Sequence, residues 1–153
     1  MNLYLLHGIL QAKAFLILFP AGILIAIFRE SIGIRWLMYH IVCQVLAALC
    51  VFTAVAVMMY AKYLENKNKD QDKNKDQDKK KHDHSGSKES FSYHVYLGFA
   101  VVGLIVFQLI WASLLRNSSI IPRPIWLRIH ILLAVAILAG GWTNIYLGYI
   151  HYR

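Results

Sequence analysis

Residues 36–61 read WLMYHIVCQVLAALCVFTAVAVMMYA. No charged side chain interrupts them, and the apolar positions show no period-two alternation. In lipid, a single stretch like this satisfies its own backbone hydrogen bonds only as a helix, and about 20 such residues cross a bilayer. An imidazole and an amide, His40 and Gln44, stand one turn apart near its start. The run decides the fold class because its pattern recurs three times.

Apolar runs cover about 3–28, 34–62, 91–115 and 125–150. They make the 153-residue chain 58% apolar with a mean hydropathy of +0.48, too hydrophobic for a soluble domain of this size. The expected fold is all-α, an integral-membrane up-down four-helix bundle forming one domain over 1–153. The first run has no basic segment before it and no small-residue cleavage site, so it reads as a retained signal-anchor helix. Cys43 and Cys50 lie seven apart on one helix, two turns away from each other, and read as buried small apolar residues.

The net charge of +8 suggests nucleic acid until the charges are located. They sit at helix ends and in one connector, which excludes a nucleic-acid partner and fits a membrane protein. The connector holds KNKDQD twice, at 67–72 and 73–78, followed by KKKHDHSGSKE. With no apolar face, 64–90 is expected to be a disordered spacer. His82, Asp83 and His84 within it are ordinary metal-ligand types.

Let side A hold both termini and this connector, and side B the two short turns. Arg29, Glu30, Arg35, Arg116, Arg123 and Arg128 give side B a net +4. Arginines in short loops favour the cytoplasm, so side B is expected there and side A on the non-cytoplasmic side. Trp36, Trp111 and Trp126 gather at side B, and eight tyrosines at or near side A, as amphipathic rings do at membrane interfaces.

The histidines sort by depth. His7 and His94 lie about four residues into helices that start at side A, and His40 and His130 about six residues into helices that start at side B. In an up-down bundle, alternate helices are diagonal partners, so His7 faces His94 and His40 faces His130. A diagonal pair of imidazoles spans the core with room for a flat macrocycle, and haem iron accepts axial imidazole. Two pairs predict two haems with irons roughly 20–25 Å apart by helical rise. Around them, Gln11, Gln44, Gly98 and Ala134 follow each histidine by four residues. Fourteen residues on, nearly the same face again, stand Ala21, Ala54, Gln108 and Asn144, small or hydrogen-bonding as a haem contact requires. Lys13, deeper in the first helix, is expected to snorkel.

These residues resemble a known family. HGILQAKAFLILFPAGILIAIFRE looks like the first haem helix of the cytochrome b561 family, particularly its DOMON-fused branch, through His7, Gly8, Ala14, Pro20, Gly22 and Arg29. WLMYHIVCQ is similar to its tryptophan–histidine–glutamine signature. The third helix fits in His94, Gly98, Gln108 and Arg116, and the fourth in His130, Asn144 and Gly148. The chain carries only the family's central four helices, and Gln11, Phe15 and Ala134 stand where methionine, tryptophan and glycine are common.

The resemblance implies two haem b groups and the same diagonal ligation. It implies electron transfer across the membrane, from cytosolic ascorbate or another small reductant to an external acceptor such as ferric or cupric ion or monodehydroascorbate. That is a transmembrane oxidoreductase of the ascorbate-dependent ferric reductase type. By location, Arg35, Arg123 and Arg128 are the candidates for binding ascorbate. The resemblance leaves room for a homodimer. The competing expectation is a divalent-metal transporter with intramembrane histidines, but such a site calls for midmembrane carboxylates, and no Asp or Glu lies inside the four runs. A third reading, a scaffold with packed polar residues, predicts a colourless protein.

Overall fold

The computed structural model describes residues 2–73, 86–114 and 122–152, with the side chains of 70–73, 86–92, 114 and 151–152 excepted. Every regular element among them is helical: α1 (Leu3–Lys13), a π turn (Ala14–Leu18), α2 (Phe19–Ile27), α3 (Arg29–Ile32), α4 (Trp36–Lys73), α5 (Gly86–Leu114) and α6 (Arg123–Tyr152). Four stretches are long and apolar enough to cross a membrane: Leu3–Ile27, Trp36–Lys69, Tyr93–Ser113 and Arg123–Ile150. Little of each stretch is buried, and Leu16, Ile17, Leu132 and Val135 are exposed, as helices solvated by lipid require.

Contacts divide the chain into two units, Met1–Lys88 and Glu89–Arg153. In the first, the run α1–π–α2 packs antiparallel on α4. Asn2 caps α1 by accepting the Tyr4 N–H at 3.0 Å. The turn into α4 passes through Gly33 at φ 81°, a conformation a side chain would strain. Ala47, Ala48, Val51 and Ala54 of α4 are buried, with Ala14, Phe15 and Phe19 from the other helix run. Small residues on one helix face let two backbones approach where no hydrophobic effect drives them together. In the second unit, α5 and α6 form another antiparallel hairpin. Its buried apolar residues are Val101, Ile105 and Ile137.

Two boundaries differ from expectation. α4 continues to Lys73 and α5 starts at Gly86, so the stretch 64–90 is helical at both ends. Glu, Lys and Gln are good helix formers, the apolar run has already nucleated α4, and Glu65 pairs with Lys69 one turn on. The middle of that stretch lies outside the described residues, as do His82, Asp83, His84 and Arg116. The second departure is the π turn. Pro20 has no N–H, and its ring would press on the carbonyl of Leu16 in a regular α-helix. The wider turn relieves this: the Phe19 N–H reaches back five residues to Ala14 O.

Candidate functional site

In the first hairpin, His7 Nδ1 donates to Ala54 O at 2.8 Å, from α1 to α4. In the opposite direction, His40 Nδ1 donates to Gly22 O at 2.8 Å, from α4 to α2. A helical carbonyl uses one lone pair for its own ladder and has a second for the imidazole. A carbonyl only accepts, so the proton sits on Nδ1 and the lone pair on Nε2. Gly22 makes the approach possible, because a Cβ there would run into the Gln44 amide and within 3.3 Å of Cys43 Cβ. The Gln44 amide donates to Phe19 O at 3.4 Å, beside the π turn.

The second hairpin repeats the device. His94 Nδ1 donates to Asn144 O at 2.9 Å, from α5 to α6. The imidazole lies so close over α6 that a Cβ on Gly148 would stand 2.9 Å from its Cε1. His130 meets an amide side chain instead of a carbonyl: Gln108 Nε2 is 2.9 Å from His130 Nδ1 and 3.0 Å from His130 O. One turn earlier on α6, Trp126 stacks on the His130 ring at 5.3 Å and 10°. Trp126 Nε1 donates to Trp111 O at 3.3 Å, and Trp111 Nε1 to Trp126 O at 3.4 Å, which clasps α5 to α6 at this level. In the first hairpin the corresponding pair, Trp36 and His40, is tilted at 6.4 Å.

A single offset organises these contacts. Ala54 lies fourteen residues beyond His40, Asn144 fourteen beyond His130, and Gln108 fourteen beyond His94. Each therefore meets the histidine of the antiparallel helix at its own level. Fourteen residues rise about 21 Å, so each hairpin holds one imidazole at each of two levels separated by about that distance. The first helix is the exception. Its partner position is Gly22, fifteen beyond His7, and not Ala21. The π turn between them adds one residue without advancing the face, which moves the matching position along by one.

The other expected site residues are distributed as follows. Gln11 is buried, at 9% exposure, and so is Asn144. Gly98 leaves room for the Asn144 amide, whose Nδ2 would lie 3.2 Å from a Cβ there. The buried oxygens Asn144 Oδ1 and Gln108 Oε1 have no hydrogen-bond partner among the described residues. The four histidines are half-buried, and Arg35, Arg123 and Arg128 are exposed. Each expected ligand pair, His7 with His94 and His40 with His130, draws one histidine from each hairpin. Lys13 is exposed at the edge of the π turn. Among the described residues no three His, Cys, Asp or Glu side chains gather as a metal-binding group. The π turn and the Trp111–Trp126 clasp escaped the sequence reading. The Trp126–His130 stack did have a signal, since it repeats the four-residue spacing of Trp36 and His40.

No protein-family model matches this chain, and neither does any curated protein or solved structure.

Proposed function

We propose that this chain is a di-haem b-type cytochrome of the membrane, of the cytochrome b561 kind, moving single electrons from a small cytosolic reductant to an external acceptor. The observation that carries the reading is the repeated histidine device. Both hairpins hold two imidazoles at two levels about 21 Å apart along the helix axis.

The residues fit axial ligation. Donation from Nδ1 to a helix carbonyl at His7, His40 and His94 leaves the lone pair on Nε2 and raises its basicity. A ligand pair needs only two imidazoles, whereas a hard-cation transporter calls for carboxylates within the membrane, and the four apolar runs hold neither Asp nor Glu. In this reading His7 and His94 hold one haem, and His40 and His130 the other. Haem, if held between these imidazoles, would supply a one-electron Fe(III)/Fe(II) couple.

Gln11, Gln44, Gly98, Gln108 and Asn144 then line or orient these sites. Arg35, Arg123 and Arg128 attract an anionic reductant such as ascorbate, which leaves as its one-electron-oxidised radical. The acceptor, a ferric or cupric ion or monodehydroascorbate, takes that electron at the opposite face. Short-loop arginines put the His40/His130 end in the cytoplasm and both termini outside it.

The test is optical. The protein is purified in detergent and a dithionite-reduced minus oxidised spectrum is recorded, with the haem content measured against protein. Two low-spin b-type haems per chain, reducible by ascorbate, are expected. A colourless protein rules the reading out.

A further inference from the structure

Three of the four histidines rest on backbone carbonyls, and the fourth does not. Gln108 Nε2 can only donate, so as placed it gives its hydrogens to His130 O and to His130 Nδ1. That puts the imidazole proton of His130 on Nε2, the reverse of His7, His40 and His94. Meanwhile Gln108 Oε1, a strong acceptor, is buried with no hydrogen-bond partner among the described residues. Leaving such an atom unsatisfied in a buried site is unfavourable, because its hydration is lost with nothing in return.

We infer that Gln108 is the positioning residue for one haem site: its amide turns over when His130 becomes a ligand, so that Oε1 accepts the Nδ1–H of His130. A turn of about 180° exchanges two groups of nearly equal shape, and only hydrogen bonding tells them apart. It pairs the orphaned oxygen with Nδ1–H and gives His130 the Nδ1–H tautomer of the other three, in exchange for the Nε2 bond to His130 O. The Trp126 stack fixes the plane of the ring while the amide turns. The inference rests on the di-haem reading and adds a consequence to it. A better acceptor at Nδ1 makes the imidazole a stronger donor and favours ferric iron. The three carbonyl anchors are set by the backbone. The potential of the His40/His130 haem is therefore the one that a single side chain sets, and with it the driving force between the two haems.

The experiment is an optical redox titration of the purified full chain carrying Gln108→Met or Gln108→Glu. His40→Ala identifies which spectral component belongs to this haem. Methionine keeps the length and removes the acceptor. Glutamate removes the amide N–H and keeps an acceptor oxygen. Gln108→Met is expected to raise the midpoint of that haem alone, making its reduction about tenfold more favourable, about 59 mV for one electron, or to lose that haem alone. Gln108→Glu is expected to do neither. The inference is overturned if both variants act alike, if both haems change together, or if neither responds. Unsubstituted protein without two haem signals overturns the di-haem reading as well, which separates the two failures.

Discussion

His40 Nδ1 donates to the carbonyl of Gly22 at 2.8 Å, and Gly22 is one residue further from His7 than the spacing in the other three helices requires. The π turn at Ala14–Leu18 absorbs that residue. The first helix thus carries an insertion that its geometry cancels. Removing the insertion and its cause should leave the hairpin intact. Deletion of Ile17 combined with Pro20→Ala is expected to keep haem content and thermal midpoint near the parent values. Deletion of Leu49 from α4, which has no π turn between His40 and Ala54, should abolish haem binding. Both deleted residues are exposed, so lost core packing does not explain a difference between them.

Gly22 and Gly148 are places where a methyl group has no room. Gly22→Ala drives a Cβ into the Gln44 amide, and overpacking of this kind is unfavourable by about 1–3 kcal/mol. A lowered unfolding midpoint in detergent is the expected result. Gly148→Ala instead pushes on the His94 ring, so the change should appear in the spectrum of the His7/His94 haem and spare the other.

The two levels of histidine predict separable losses. If the proposed ligation holds, His40→Ala and His130→Ala should each reduce haem content from about two per chain to about one, with the same component surviving, because in that reading each removes a ligand of the same haem. His7→Ala and His94→Ala should leave the opposite component. Haem quantitation and spectra of the four variants decide this, and a survivor pattern that groups His7 with His40 would refute the diagonal pairing.

Arg35, Arg123 and Arg128 are exposed and belong to no ion pair among the described residues. Replacing a contacting arginine by glutamine should raise the KM for ascorbate about tenfold, since a hydrogen bond to a charged group contributes about 1.5–3 kcal/mol. The extent of reduction by dithionite should not change. Stopped-flow reduction at several ascorbate concentrations distinguishes the arginine that contacts the donor from those that do not.

Much of this was legible in the one-dimensional pattern. Four apolar runs named four helices, because lipid leaves a single spanning segment no other way to satisfy its backbone. The fourteen-residue offset pointed to Ala54, Gln108 and Asn144, and the structure places all three against histidines of the neighbouring helix. The roles at two of them were not legible. Ala54 and Asn144 receive the imidazole on their backbone carbonyls, a group every residue type possesses, so their side chains carried no signal of it. Ala21 missed by one residue because a π turn leaves the apolar pattern unchanged while rotating everything after it.

The sequence by itself therefore determined the helical runs, the depth of each histidine and the two levels they occupy, since rise per residue and span length are properties of one helix alone. Tertiary structure decided which atom anchors each imidazole, which nitrogen bears its proton and where Gln108 turns its amide. Those depend on the register of two helices against each other, and that register is set by where glycine and a widened turn let the backbones approach.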